Sequence, residues 1–586
     1  MKYSIKNFNS AVDYYQKKLS KYKNKTVFIH VPINNKKAYY STAPLSRAIH
    51  NLNAKVNIAV APEDAKSIAA LKEVWGTFDD LKKGVKNQKT TALDEFIGVV
   101  DKKAKGKFRK IFEKPDLILF SNHNKFCSKE LRLELKDGWF KEYRWNDLIK
   151  TAKIIWAQVY NLKKHEKVGF GFETMPIQKK LELPLEDYLD SYAINRAMMD
   201  AIPNEKSAGA ETAVWSQLAE GERIGELKAT LFGCELEKDI NEPIFKKYKI
   251  LSRLLRLNRL KPNDATFGVH GKGYGGKHLF GELIGYPTPN GKSRWSSPGG
   301  IVYKFNWHPQ SKYESRNPRT RVGFTETLPI DIFIKTCKID WLKMKRKNDK
   351  LIRLFDKSRR IIIDSNKKNG TNFEVGLIKP NGEHRMTNNS DVDIRSKIDK
   401  RYYKQTGLKT GTMANIPGGE AFVTPEYLIG RVVGDVVISI DQSYRLSEKS
   451  PFIINVDKKG YKVEKAPPKI KKEFDKEKRE AWKQLLIMEK HKSLPQEIIN
   501  LKKRNFNRIG EFAVNTNPTA ELCDYLIVNE KIAGMIHVAM GSGFDNDRST
   551  VYHTDVVINA KRQKLDIYGV NGSNKFWIMK KGKLLV

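Results

Sequence analysis

The pattern that most narrows the fold is a strand, a helix and a second strand in immediate succession near the amino terminus. Thr26-Val-Phe-Ile-His-Val-Pro32 is a β-branched and aromatic run of strand length. Ser41 to Asn53, STAPLSRAIHNLN, reads as a helix, and Ala54-Lys-Val-Asn-Ile-Ala-Val60 as the second strand. Two strands joined through a helix lie parallel in one sheet, because only a long crossover can bring the chain back to run in the same direction. Asp116-Leu-Ile-Leu-Phe120 reads as a further buried strand. The expected class is therefore α/β, with an amino-terminal parallel-sheet domain over residues 1–130.

The rest of the chain divides by texture. Residues 1–22 alternate apolar and basic positions at helical spacing, and 131–260 read as mostly helical, most clearly from Glu130 to Leu162. Residues 261–325 are rich in Gly, Pro, Asn and Trp and read as loops and short strands. Together 131–325 look like a large insertion. From 326 the pattern is regular again: Ile332 to Phe355 reads as one amphipathic helix and Arg360 to Asp364 as a strand. A charged excursion over 457–492 is expected to end in a helix, and 527–586 reads as strands separated by Gly and Asn turns. These last 260 or so residues form the expected carboxy-terminal α/β domain.

Charge and cysteine usage bound the function. Lys and Arg number 108 against 67 Asp and Glu, a net charge of +41. Such a field attracts nucleic acid or an acidic partner; a compositional habit of Lys- and Asn-rich sequence, spread along the whole length, explains it equally. Four cysteines far apart, Cys127, Cys234, Cys337 and Cys523, exclude a disulfide framework and a thiolate zinc site. The amino terminus lacks an apolar signal segment, and no stretch has the length and apolarity of a membrane span. The expectation is a cytoplasmic protein.

Candidate chemistry concentrates after residue 400. In Ser549-Thr-Val-Tyr-His-Thr-Asp-Val-Val-Ile558 the residues His553 and Asp555 are two apart on a strand, so they share a face, whereas Tyr552 points the other way. Alone the pair also fits a surface couple. His537 sits in Lys531-Ile-Ala-Gly-Met-Ile-His-Val-Ala-Met540, read as an apolar strand, where a lone histidine also fits a hydrogen-bonded core residue. Glu420 follows Gly418-Gly419, and Glu511 follows Gly510, each among apolar neighbours. A carboxylate there is costly to bury unless paired or metal-bound, although each also fits an exposed turn. Two signals carry less. Gly271 to Lys277 fits a phosphate-loop spacing, but His278 stands where the metal-binding hydroxyl belongs. Trp139-Phe-Lys-Glu-Tyr-Arg-Trp145 interleaves aromatic and basic residues, as base-stacking surfaces and buried elements both do.

Five segments in order, over residues 370–555, give these residues a common context. They are Gly370-Thr-Asn-Phe-Glu-Val-Gly-Leu377, Ala414-Asn-Ile-Pro-Gly-Gly-Glu-Ala-Phe422, Gly510-Glu-Phe-Ala-Val-Asn-Thr-Asn-Pro518, Gly534-Met-Ile-His-Val-Ala-Met-Gly541 and Asp547-Arg-Ser-Thr-Val-Tyr-His-Thr-Asp555. In this series the chain resembles the thermophilic metallo-aminopeptidases of the aminopeptidase T and aminopeptidase S type. The likeness reaches Lys25 to Val60 more faintly and leaves 131–325 without a counterpart.

The resemblance implies a metallopeptidase domain with two divalent ions, Zn, Co or Mn, held by Glu420, Glu511, His537, His553 and Asp555. One carboxylate bridges the ions and another serves as base; Glu511 is a candidate for either role. It also implies a peptide substrate and a homodimer. One departure matters. The family's catalytic tyrosine falls at Phe544, and a phenyl ring cannot donate to an oxyanion; losing such a donor typically costs about 10²–10³ in rate. The expected activity is removal of an amino-terminal residue from peptides. The rivals are an amide hydrolase of altered specificity and a non-peptidase descendant that uses its basic surface for nucleic acid or acidic partners.

Overall fold

A computed structural model describes residues 2–61, 116–162, 168–181, 183–202, 215–217, 265–270, 321–389, 413–440, 442–490, 496–543, 545, 547–548 and 550–586. Phe544 and the Gly-rich loop after His270 lie outside the described residues. The described residues form a mixed α/β structure with four sheets.

The first sheet pairs Thr26–Pro32 in parallel with Lys55–Ala61 on one side and Leu117–Asn122 on the other, as the strand–helix–strand pattern requires. The connecting helix, Lys36–Asn51, begins five residues before the sequence pattern suggests. Asn35 starts it by accepting from the Ala38 N–H. Lys125–Cys127 and Arg132–Glu134 complete the sheet as antiparallel strands. The helix expected from Glu130 onward is thus corrected at its start. Leu133 is buried between exposed Arg132 and Glu134, so the period there is two, and helix begins only at Trp145.

The second sheet is wholly parallel, in the order Met413–Asn415, Arg321–Glu326, Ala265–His270, Val168–Glu173, Trp215–Gln217. Helix Leu185–Asp200 is buried along most of its length beside it. Within the aromatic run at 139–145, Trp139 is core rather than platform. Trp139 is fully buried against Tyr3, Phe8 and Tyr40, and Phe140 stacks on Tyr40 at 3.5 Å. Those rings are not free to stack on bases.

The remaining two sheets are antiparallel and share a core. The expected helix Ile332 to Phe355 is in fact two, Ile330–Cys337 and Trp341–Lys357. Asp340 breaks the run by capping the second, accepting from the Lys343 N–H at 2.9 Å. That second helix, labelled α1, buries Leu351, Ile352 and Phe355 between an eight-stranded and a seven-stranded sheet. A long helix, Pro468–Lys490, adds Phe474 and Leu485 to the same core. Among the described residues no helix is long and apolar enough to cross a membrane.

Candidate metal centre

Four neighbouring strands of the seven-stranded sheet carry the candidate residues: β1 (Glu420–Val423), β2 (Ile509–Asn515), β3 (Ile536–Gly541) and β4 (His553–Ile558). Their antiparallel register sets Glu420 opposite Asn515, Ala513 opposite His537, Glu511 and then Asp555 opposite Ala539, and His553 opposite Gly541. Side chains alternate across a strand, so Glu420, Glu511, His537, His553 and Asp555 all fall on one face. Ala513, Ala539 and Gly541 fall between them and leave the space that the polar chains fill. The opposite face, with Phe512, Val514, Val538, Met540 and Val556, is the apolar core shared with the eight-stranded sheet. One period-two alternation thus explains both the core and the site.

Glycine shapes both approaches to the carboxylates. Gly419 has φ +137°, and a Cβ there would lie 2.7 Å from the Asn517 Cβ. A Cβ on Gly510 would lie 2.1 Å from the Ser542 carbonyl oxygen. Asn517 ties the Gly turn down by donating to the Gly418 carbonyl at 2.9 Å, and Asn348 of α1 donates to the Glu420 carbonyl at 2.8 Å. Four of the five segments singled out in the sequence thus meet in one sheet, while Gly370 to Leu377 supplies a strand of the eight-stranded sheet.

All five side chains are at least nine-tenths buried. They form two groups, Glu420–Glu511–His537 and Glu511–His553–Asp555, each with its ligand atoms within 4.8 Å of one another. Glu511 belongs to both. Its Oε1 lies 3.4 Å from His537 Nε2, and its Oε2 lies 3.6 Å from His553 Nε2. Glu420 Oε2 lies 3.5 Å from His537 Nε2, and Asp555 Oδ1 lies 3.3 Å from His553 Nε2.

The imidazoles are oriented from behind. His553 Nδ1 donates to the Ser542 carbonyl at 2.7 Å, and His537 Nδ1 to the Asn515 side-chain oxygen at 2.8 Å. A carbonyl can only accept, so each Nδ1 carries a proton and each ring turns its Nε2 toward the carboxylates. Metal-ligating histidines are fixed in this manner. Burial works against a charged His553, but Asp555 and then Glu511 outweigh it and raise its pKa to about 10. Burial likewise pushes Asp555 up, and His553 outweighs it, leaving the carboxyl at about 2.

Two residues here escaped the sequence reading. Lys531 is fully buried, with Nζ 2.6 Å from Glu420 Oε1 and 3.0 Å from Glu530 Oε1. Glu530 is itself buried. Burial raises its carboxyl above the usual range, while Lys531 pulls it back and Asp555 raises it further. Their one signal was an adjacent pair of charges inside an otherwise apolar stretch, Tyr525 to Met540. Tyr552 points away from the site, as its strand position requires. Its phenol donates to the Phe506 carbonyl at 2.6 Å, inside the opposite core.

The donor set can hold a metal ion. It is oxygen and nitrogen without thiolate, which suits Zn, Co or Mn, and it is buried, convergent and rich in carboxylate. No protein-family profile matches the chain, and no curated protein matches it. Among solved structures, the wild-type AmpT from Thermus thermophilus aligns with a TM-score of 0.42 and 15% identity. The alignment covers 76% of this chain and 100% of that one. A likeness that loose fixes no function.

Proposed function

We propose that the protein is a two-metal hydrolase that removes the amino-terminal residue from peptides. The observation that carries the metal pair is the position of Glu511, one buried carboxylate shared by two ligand groups, each oxygen facing a different imidazole. Of the two roles open to Glu511 from sequence, this favours the bridge. Glu420 and His537 complete one ligand group, and His553 and Asp555 the other. The peptide specificity rests on the five ordered segments shared with the metallo-aminopeptidases.

When bound, a metal pair polarises a carbonyl and lowers the pKa of water toward neutrality. The chain's own residues prepare for that chemistry. The Ser542 carbonyl and Asn515 hold both imidazoles in the ligating tautomer. Asn348 and Asn517 lock the turn that presents Glu420. Burial of every ligand keeps bulk water from competing and strengthens each charge interaction.

The test is hydrolysis of unblocked aminoacyl-amides and short peptides by metal-reconstituted protein, with Glu420→Gln as control. Turnover in the parent that disappears in the control supports the reading. Two bound ions with no turnover on any of these substrates reject the aminopeptidase assignment. In that case the hydrolase of altered specificity becomes the better account.

A further inference from the structure

A buried ammonium is costly to desolvate unless its partners are held in good geometry. Lys531 is fully buried, and its placement divides the two oxygens of Glu420. Oε1 takes the ammonium at 2.6 Å, while Oε2 faces His537 Nε2 at 3.5 Å. Glu530 holds the ammonium from another side at 3.0 Å.

We propose that Lys531 is a positioning residue that restricts Glu420 to one ligand oxygen. The inference rests on the two-metal reading. A carboxylate can bind an ion through one oxygen or both, and a catalytic site needs a coordination position left open for water or substrate. With Oε1 engaged by Lys531, Glu420 offers only Oε2 and that position stays open. Charge points the same way. Against the four buried carboxylates Glu420, Glu511, Glu530 and Asp555, two divalent ions and one ammonium leave a single positive charge. Lys531 thus keeps the loaded centre electron-poor, at some cost in ion affinity.

This separates a positioning role from a merely structural one. A residue that only supports the fold lowers ion affinity when it is removed. Lys531 does the opposite, because its loss frees Oε1 to chelate and removes a neighbouring positive charge.

The experiment uses the full chain and its Lys531→Met and Lys531→Arg variants, titrated with Co²⁺ and followed by visible absorption and by competition with a chelator. Lys531→Met should bind one of the two ions about tenfold more tightly or better, the scale set by removing a unit charge a few ångströms away. Its cobalt bands should weaken as the coordination number rises. Lys531→Arg, which keeps the donor and the charge, should keep the parent's spectrum and stay within about threefold of its affinity. Unchanged affinity and spectrum in Lys531→Met, or equal weakening of both ions, overturns the proposal.

Should Lys531→Met not fold, the structure of the zinc-loaded parent decides. Oε2 on the ion with Oε1 still on Lys531 supports the proposal, and both oxygens on the ion overturn it. A parent that binds no ion overturns the two-metal reading itself and this inference with it.

Discussion

If Glu511 is shared by two ions, a single isosteric change removes both, whereas changing Glu420 weakens one. Consider Glu511→Gln. The ligand atoms of each group lie within 4.8 Å of one another, which puts an ion at the centre of a group roughly 3 Å from each oxygen. A unit charge about 3 Å from a divalent ion, at an effective dielectric of ~20, contributes on the order of 11 kcal/mol before desolvation is subtracted. Retaining a fifth of that after desolvation, about 2 kcal/mol, is already a roughly 30-fold loss for each ion. Glu511→Gln should therefore bind both ions at least about 30-fold more weakly, while Glu420→Gln retains one near parental affinity. The assay is calorimetric titration of chelator-stripped protein with Zn²⁺ or Mn²⁺. Melting curves supply the control. Glu511 is buried beside other carboxylates but also against His553, so its neutralisation relieves repulsion and loses that attraction together, and ion-free Glu511→Gln should still melt in one cooperative transition. Loss of only one ion in Glu511→Gln, or of none, refutes the shared-ligand reasoning.

Further outcomes follow from the same geometry. Asn515→Leu removes the acceptor that orients His537 and should weaken ion binding by about 10–100-fold without unfolding the chain, as titration and melting will show. Ala539→Leu points extra atoms at Glu511 and Asp555 across the register; it should abolish ion binding and cost about 1–3 kcal/mol in denaturant titration. His553 in the ion-free protein has a pKa raised from 6.5 to about 10. Its contribution to stability is present in full below pH 6.5 and lost as pH rises through about 10. An ion must displace that proton, so ion affinity should rise with pH across this window by up to about tenfold per unit; calorimetry in buffers of different ionisation enthalpy should find a proton released. Arg385, almost fully buried, bonds Asp545, Asp547 and Glu426, so Arg385→Met leaves carboxylates without their cation and should destabilise by about 3–5 kcal/mol in denaturant melts.

Much of the site was legible because its information is local and periodic. His553 and Asp555 share a face by strand alternation alone, and Glu420 and Glu511 follow glycines that the folded turn and the close strand approach require. What local pattern could not supply was register. Nothing in the sequence places Glu511 between His537 and His553, since that depends on hydrogen bonding among β2, β3 and β4. Lys531 and Glu530 escaped for a related reason. Charged residues beside a turn read as solvated, and only tertiary burial converts them into part of the site. The misread helices show the same limit at shorter range. Arg132 to Glu134 lies beside a helical pattern, yet Leu131, Leu133 and Leu135 alternate with the period of a strand. The single helix expected from 332 to 355 ignored Asp340, a capping residue in the middle of an apolar pattern. Phe544 kept its significance in sequence alone.

The most direct test of the shared-carboxylate account is the anomalous difference density of zinc-soaked crystals. Two peaks should appear about 3.5–4 Å apart, the spacing typical of two-metal sites. One should sit against Glu420 and His537, the other against His553 and Asp555, with Glu511 between them. A single peak, or two peaks that do not share Glu511, would contradict it.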